Sequence, residues 1–84
     1  MANRQIKTIR QLKKLAQNGL DCFILFHGCL KSSKHIRYQP DNNTFYVLNL
    51  IDDSEQELTE SQILDSKYSN IGEAMKKGIL IKEQ

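Results

Sequence analysis

The only cysteines and histidines of the chain, Cys22, His27, Cys29 and His35, all fall between positions 22 and 35. Thiolates and imidazoles are the usual ligands of zinc. The spacing argues against such a site. Neither a Cys-x-x-Cys nor a His-x-x-x-His pair occurs, and alternation along a strand puts Cys22 on the face opposite His27 and Cys29. A nucleophilic thiol would need an imidazole to take its proton, and His27 two residues from Cys29 is the only such pairing. No acidic residue close in sequence orients that ring. The plainer reading is buried structural cysteines and a core histidine whose hydrogen-bond partner is Tyr38.

Two charged constellations offer other chemistry. Asp52, Asp53, Glu55, Glu57 and Glu60 supply hard oxygen ligands of the kind divalent cations take, but without the spacing of a calcium loop, so a solvated acidic turn is expected. Lys31-Ser32-Ser33-Lys34, continued by His35 and Arg37, combines hydroxyls, turn amides and cations. Arg10, Lys13 and Lys14 extend this set if the first helix lies beside the hairpin tip. Together Arg10, Lys13, Lys14, Lys31, Ser32, Ser33, Lys34 and Arg37 are the candidate anion or nucleic-acid site, with Tyr38 and Tyr46 as stacking surfaces. No glycine-rich phosphate loop, helix-turn-helix spacing or aromatic RNA-binding sheet motif accompanies them.

The charge layout sharpens the question. Net charge is +2, yet residues 1–40 hold eight Lys or Arg against Asp21 alone (+7), and residues 41–84 hold four lysines against nine acids (−5). Such asymmetry describes either a basic face for an anionic partner or two halves that attract each other.

Local signals define the elements that must position these groups. Thr8 and Gln11 have capping-box spacing, Ile9, Leu12 and Ala16 form one stripe, and Asn18-Gly19 suits a left-handed stop, which predicts a helix over 8–18. The apolar run Cys22 to Leu30 reads as one strand, and His35 to Gln39 as a second with one wet face. A turn at Ser32-Ser33 would set Leu30 opposite His35 and Cys29 opposite Ile36. After the Pro40-Asp41-Asn42-Asn43 turn, Thr44 to Ile51 forms a third strand. This gives a three-stranded antiparallel meander with Phe23, Leu25, Cys29, Ile36, Tyr38, Phe45, Val47 and Ile51 on the face that the helix covers.

Cys22, Ile24, Phe26, Leu30, Tyr46, Leu48 and Leu50 would then share the other face, too apolar to leave in water. It calls for the C-terminal helices or a second copy packing sheet against sheet. Glu55 to Leu58 reads as a short returning strand. Capping-box spacings at Thr59/Gln62 and Asn70/Glu73 predict two short helices, and Ile79 to Lys82 a closing strand or extended segment.

The expected class is therefore α+β, with an N-terminal helix, the meander, two short helices and a C-terminal strand or extended segment. At 84 residues, with 39% hydrophobic and 26% charged positions, the chain forms one domain near the lower end of independent folding. Met1 to Gln5 carries no apolar leader, and the run Cys22 to Phe26 falls far short of the ~20 residues of a membrane helix. A cytoplasmic protein with reduced thiols, no membrane partner and no cofactor is expected.

The segments Cys22 to Ile36, Ile51-Asp52-Asp53-Ser54-Glu55-Gln56-Glu57-Leu58-Thr59 and Asn70-Ile71-Gly72-Glu73-Ala74-Met75-Lys76-Lys77-Gly78 resemble short uncharacterised proteins carried by prophages and other mobile elements of Gram-positive bacteria. The resemblance implies a bacterial accessory role. The residues themselves predict a non-enzymatic module that binds a protein partner or a second copy through the surplus apolar sheet face, with nucleic-acid binding by the basic face as the alternative.

Overall fold

The computed structural model describes the backbone of residues 4–26 and 29–83, and the side chains of 4–25 and 33–83. The chain runs through β1 (Arg4–Gln5), α1 (Ile9–Ala16), β2 (Leu20–Phe26), β3 (Cys29–Gln39), β4 (Thr44–Asn49), β5 (Glu55–Thr59), α2 (Glu60–Ile63), α3 (Ile71–Lys77) and β6 (Leu80–Lys82). The strands form one antiparallel sheet in the order β1-β6-β2-β3-β4-β5. This mostly-β, six-stranded domain corrects the expected three-stranded meander. β2, β3 and β4 are its centre, but β5 extends one edge while β1 and β6 extend the other.

The second correction concerns where β2 ends. The run Cys22 to Leu30 is not one strand, since Leu25 pairs with Leu30 and Phe26 with Cys29. The chain reverses between them, so Ser32 and Ser33 lie within β3 opposite Ile24 and Phe23, not in a turn. A register shift between Ile24 and Leu25 marks a bulge at this end of the pair.

Register then decides the faces. Leu20, Cys22, Ile24, Ile36, Tyr38, Phe45, Val47, Leu58 and Leu80 are buried and share one side of the sheet. Leu12 and Ala16 of α1, Ile63 of α2, and Ile71, Ala74 and Met75 of α3 complete a single core with them. The expected inner residues of β3 and β4 are right: Ile36, Tyr38, Phe45 and Val47. Those of β2 are inverted, with Cys22 and Ile24 inside where Phe23 and Leu25 were expected, because moving a pairing by one position exchanges a strand's faces. Ile51, expected inside, is 65% exposed in the turn after β4. Cys29 lies outside the described side chains.

The helix caps follow the sequence closely, with two exceptions. Thr8 Oγ1 accepts from Gln11 N–H, but the Gln11 side chain accepts from Lys7 rather than Thr8 and donates to Gln5 O, tying the helix start to β1. The Thr59/Gln62 box is complete in both directions. Asn70 makes no side-chain cap bond; Ser69 Oγ instead accepts from Ile71 N–H and donates to Ile63 O. Gly19 and Gly78 terminate α1 and α3 at φ of 83° and 69°.

Candidate functional site

All three helices lie on one side of the sheet, so the other side is left open among the described residues. Its side chains follow from the same register. Phe23 and Leu25 come from β2, Ser33, His35 and Arg37 from β3, and Tyr46 and Leu48 from β4. Glu55 and Glu57 come from the edge strand β5, and Ile81 from β6. Phe23, Leu25, Tyr46 and Leu48 are half-buried, and Arg37, Glu55 and Glu57 are exposed. Ile81 is 7% exposed and stands outside the core cluster, as its place on this side requires.

Across β3, β4 and β5 this surface repeats a simple row. Arg37 is paired with Tyr46, and Tyr46 with Glu57; one step along the strands, His35 is paired with Leu48, and Leu48 with Glu55. Each row runs from a basic residue through a large uncharged one to a carboxylate. The six side chains line a shallow hollow of about 390 Å³. His35 is further fixed by Asp21, whose Oδ1 lies 2.8 Å from His35 Nδ1. Gly19 packs against the same ring: a Cβ there would come 3.1 Å from His35 Cε1. A flat sheet surface of this kind can bury a partner's side chains and match their charges.

The described members of the basic set singled out by sequence do not meet on one surface. Arg10 and Lys14 are exposed on α1, over the helix-covered side. Lys13 is committed to an ion pair with Glu60 at the start of α2 and sits 5.5 Å above the Tyr38 ring. The hydrogen bond to Glu60 holds its ammonium group above the usual lysine range. This contact joins the basic first half to the acidic second half, as one of the two readings of the charge asymmetry requires. Lys34 faces the helix-covered side next to Cys22 and is only 8% exposed. Among the described basic members of the set only Arg37 projects from the open side, where Ser33 is half-buried. The side chains of Lys31 and Ser32 lie outside the described residues.

The other constellations also separate. Cys22 is buried among the helices, and burial pushes its thiol up to about 12 despite the nearby Lys34 charge. His35 is on the opposite side of the sheet, and His27 and the Cys29 side chain lie outside the described residues. Tyr38, the partner expected for His27, donates to Asn43 Oδ1. Among the described residues no group of three His, Cys, Asp or Glu is placed to hold a metal ion. Asp52 is held below the usual carboxylate range by the Ser54 hydroxyl and N–H, a local turn contact. Glu55 and Glu57 project from the open side, while Glu60 pairs with Lys13.

Sequence reasoning named Tyr46 and Leu48 as members of a surplus apolar face but missed that Glu55 and Glu57 border it. The signal was present as alternation in Glu55-Gln56-Glu57-Leu58, where Leu58 is the buried member and the two glutamates share the opposite side. No described helix is long and apolar enough to cross a membrane. No family model, curated protein or solved structure matches the chain.

Proposed function

We propose that this chain is a small non-enzymatic interaction module that binds a protein partner through the open side of its sheet. The observation that carries this reading is the placement of α1, α2 and α3 on one side only, which leaves Phe23, Leu25, Tyr46 and Leu48 part-exposed on the other. Residues of this type at the centre of a polar-rimmed surface suit a binding patch. The bacterial accessory role implied by the resemblance is compatible with such a module.

A nucleic-acid interface would draw on several cations at once, because phosphate contacts add through released counterions. Arg10 and Lys14 stand on one side, Arg37 on the other, and Lys13 is paired. The geometry therefore favours protein binding. A photo-crosslinking amino acid at Leu48, compared with the same group at Lys14 and Lys76, tests the proposal in cells. Products that form from position 48 alone and vanish with Tyr46→Glu are expected. Equal or absent crosslinking at the three positions would refute it.

A further inference from the structure

We infer that the partner for the β3–β5 part of the open side is a second copy of this chain, placed by a two-fold axis that runs along β4. The inference rests on the proposed reading of this side as a binding surface and specifies the occupant. Its ground is the antisymmetric arrangement of the two rows, in charge for Arg37 and Glu57 and in residue type for His35, which Asp21 holds, and Glu55. His35 and Arg37 stand on one side of β4, Glu55 and Glu57 on the other, and the uncharged Tyr46 and Leu48 lie between.

An isologous interface places patch i on patch j and j on i. Rotation by half a turn about β4 does so for both rows at once. Arg37 meets Glu57 of the other copy, His35 meets Glu55, and Tyr46 and Leu48 meet their own counterparts. An axis between β3 and β4 would set Arg37 against Tyr46 and lose the match.

Within one chain Arg37, Glu55 and Glu57 are left available, whereas His35 is already held by Asp21 through Nδ1. β3 and β5 are separated by β4, so Arg37 and Glu57 are about 10 Å apart at the backbone. No ion pair among the described residues involves Arg37, Glu55 or Glu57. Facing sheets pack about 10 Å apart, within reach of an arginine and a glutamate extended toward each other. Each row spans roughly 10 Å between its end strands and successive rows lie roughly 7 Å apart. The paired area is on the order of a few hundred Å² per copy, below the ~800 Å² of a standard interface, so the association is weak and concentration-dependent. Phe23, two strands from the axis, falls beyond the edge strand of the other copy.

Sedimentation equilibrium of the purified full chain, from ~10 µM to ~1 mM at low salt, tests the arrangement. Wild type is expected to shift from monomer toward dimer. Arg37→Glu and Glu57→Arg should each be monomeric, since each opposes like charges twice. Their equimolar mixture should recover a heterodimer, and the double variant a homodimer, which a loss of folding would not allow. Phe23→Glu should associate as wild type does. A wild type monomeric at ~1 mM, a dimer indifferent to both charge changes, or a mixture that stays monomeric overturns the inference. A monomer that still crosslinks to another protein from position 48 would leave the interaction module standing and remove only the second copy.

Discussion

Gly72 and Leu64 touch backbone to backbone: a Cβ on Gly72 would lie 2.7 Å from Leu64 Cα and 2.9 Å from Leu64 O. This close approach lets α3 seat against the end of α2. Gly72→Ala should therefore destabilise the fold by about 2 kcal/mol, although alanine is the better helix former by roughly 1 kcal/mol. Urea unfolding followed by circular dichroism checks the sign; a stabilised variant would show that the two helices are not in contact there.

Cys22 makes stability depend on alkaline pH. Its thiol is pushed up to about 12 in the folded protein by burial, against an ordinary value of 9.0. The folded state thus favours the protonated form, and its contribution is present below pH 9 and fades as pH rises toward 12. Between pH 8 and pH 10 the wild type should lose about 1.4 kcal/mol more than Cys22→Ala, as the unfolded thiol ionises first. Parallel slopes for the two proteins in urea titrations would contradict this placement of Cys22.

The α3 start separates two neighbouring residues. Ser69→Ala removes the acceptor for Ile71 N–H and the donor to Ile63 O, and should cost about 1 kcal/mol. Asn70→Ala should stay within about 0.5 kcal/mol, because Asn70 makes no side-chain cap bond. Unfolding free energies in the reverse order would place the cap at Asn70.

Much of this fold was legible because its signals are local. The helix stripe of Ile9, Leu12 and Ala16, the Thr59/Gln62 box and the left-handed glycines at 19 and 78 need only neighbours to form. The β3 and β4 inner faces were also legible, since the Pro40-Asp41-Asn42-Asn43 turn fixes their register. The β2 faces were not. An unbroken apolar run carries no alternation to show which side is inner, so misplacing one turn inverted Cys22 and Phe23. β1, with two residues, is too short to announce itself, and the place of β6 between β1 and β2 is a long-range pairing that no local pattern encodes. Of the surplus apolar face that was expected, Tyr46 and Leu48 lie on the open side, while Cys22 and Ile24 are in the core. The glutamate border of the open side was not expected, because it depends on β5 pairing with β4.

The most direct test of the central claim is the paired substitution Tyr46→Glu with Leu48→Glu, measured by urea unfolding together with crosslinking from position 37. If the open side binds a partner and does not hold the fold together, the variant should unfold within about 1 kcal/mol of wild type, the span of strand preferences, while the crosslinked product disappears. For comparison, Ile36→Glu, which forces a charge into the core, should fail to fold. A double variant that unfolds as Ile36→Glu does, or one that keeps its crosslinked product, would contradict the account.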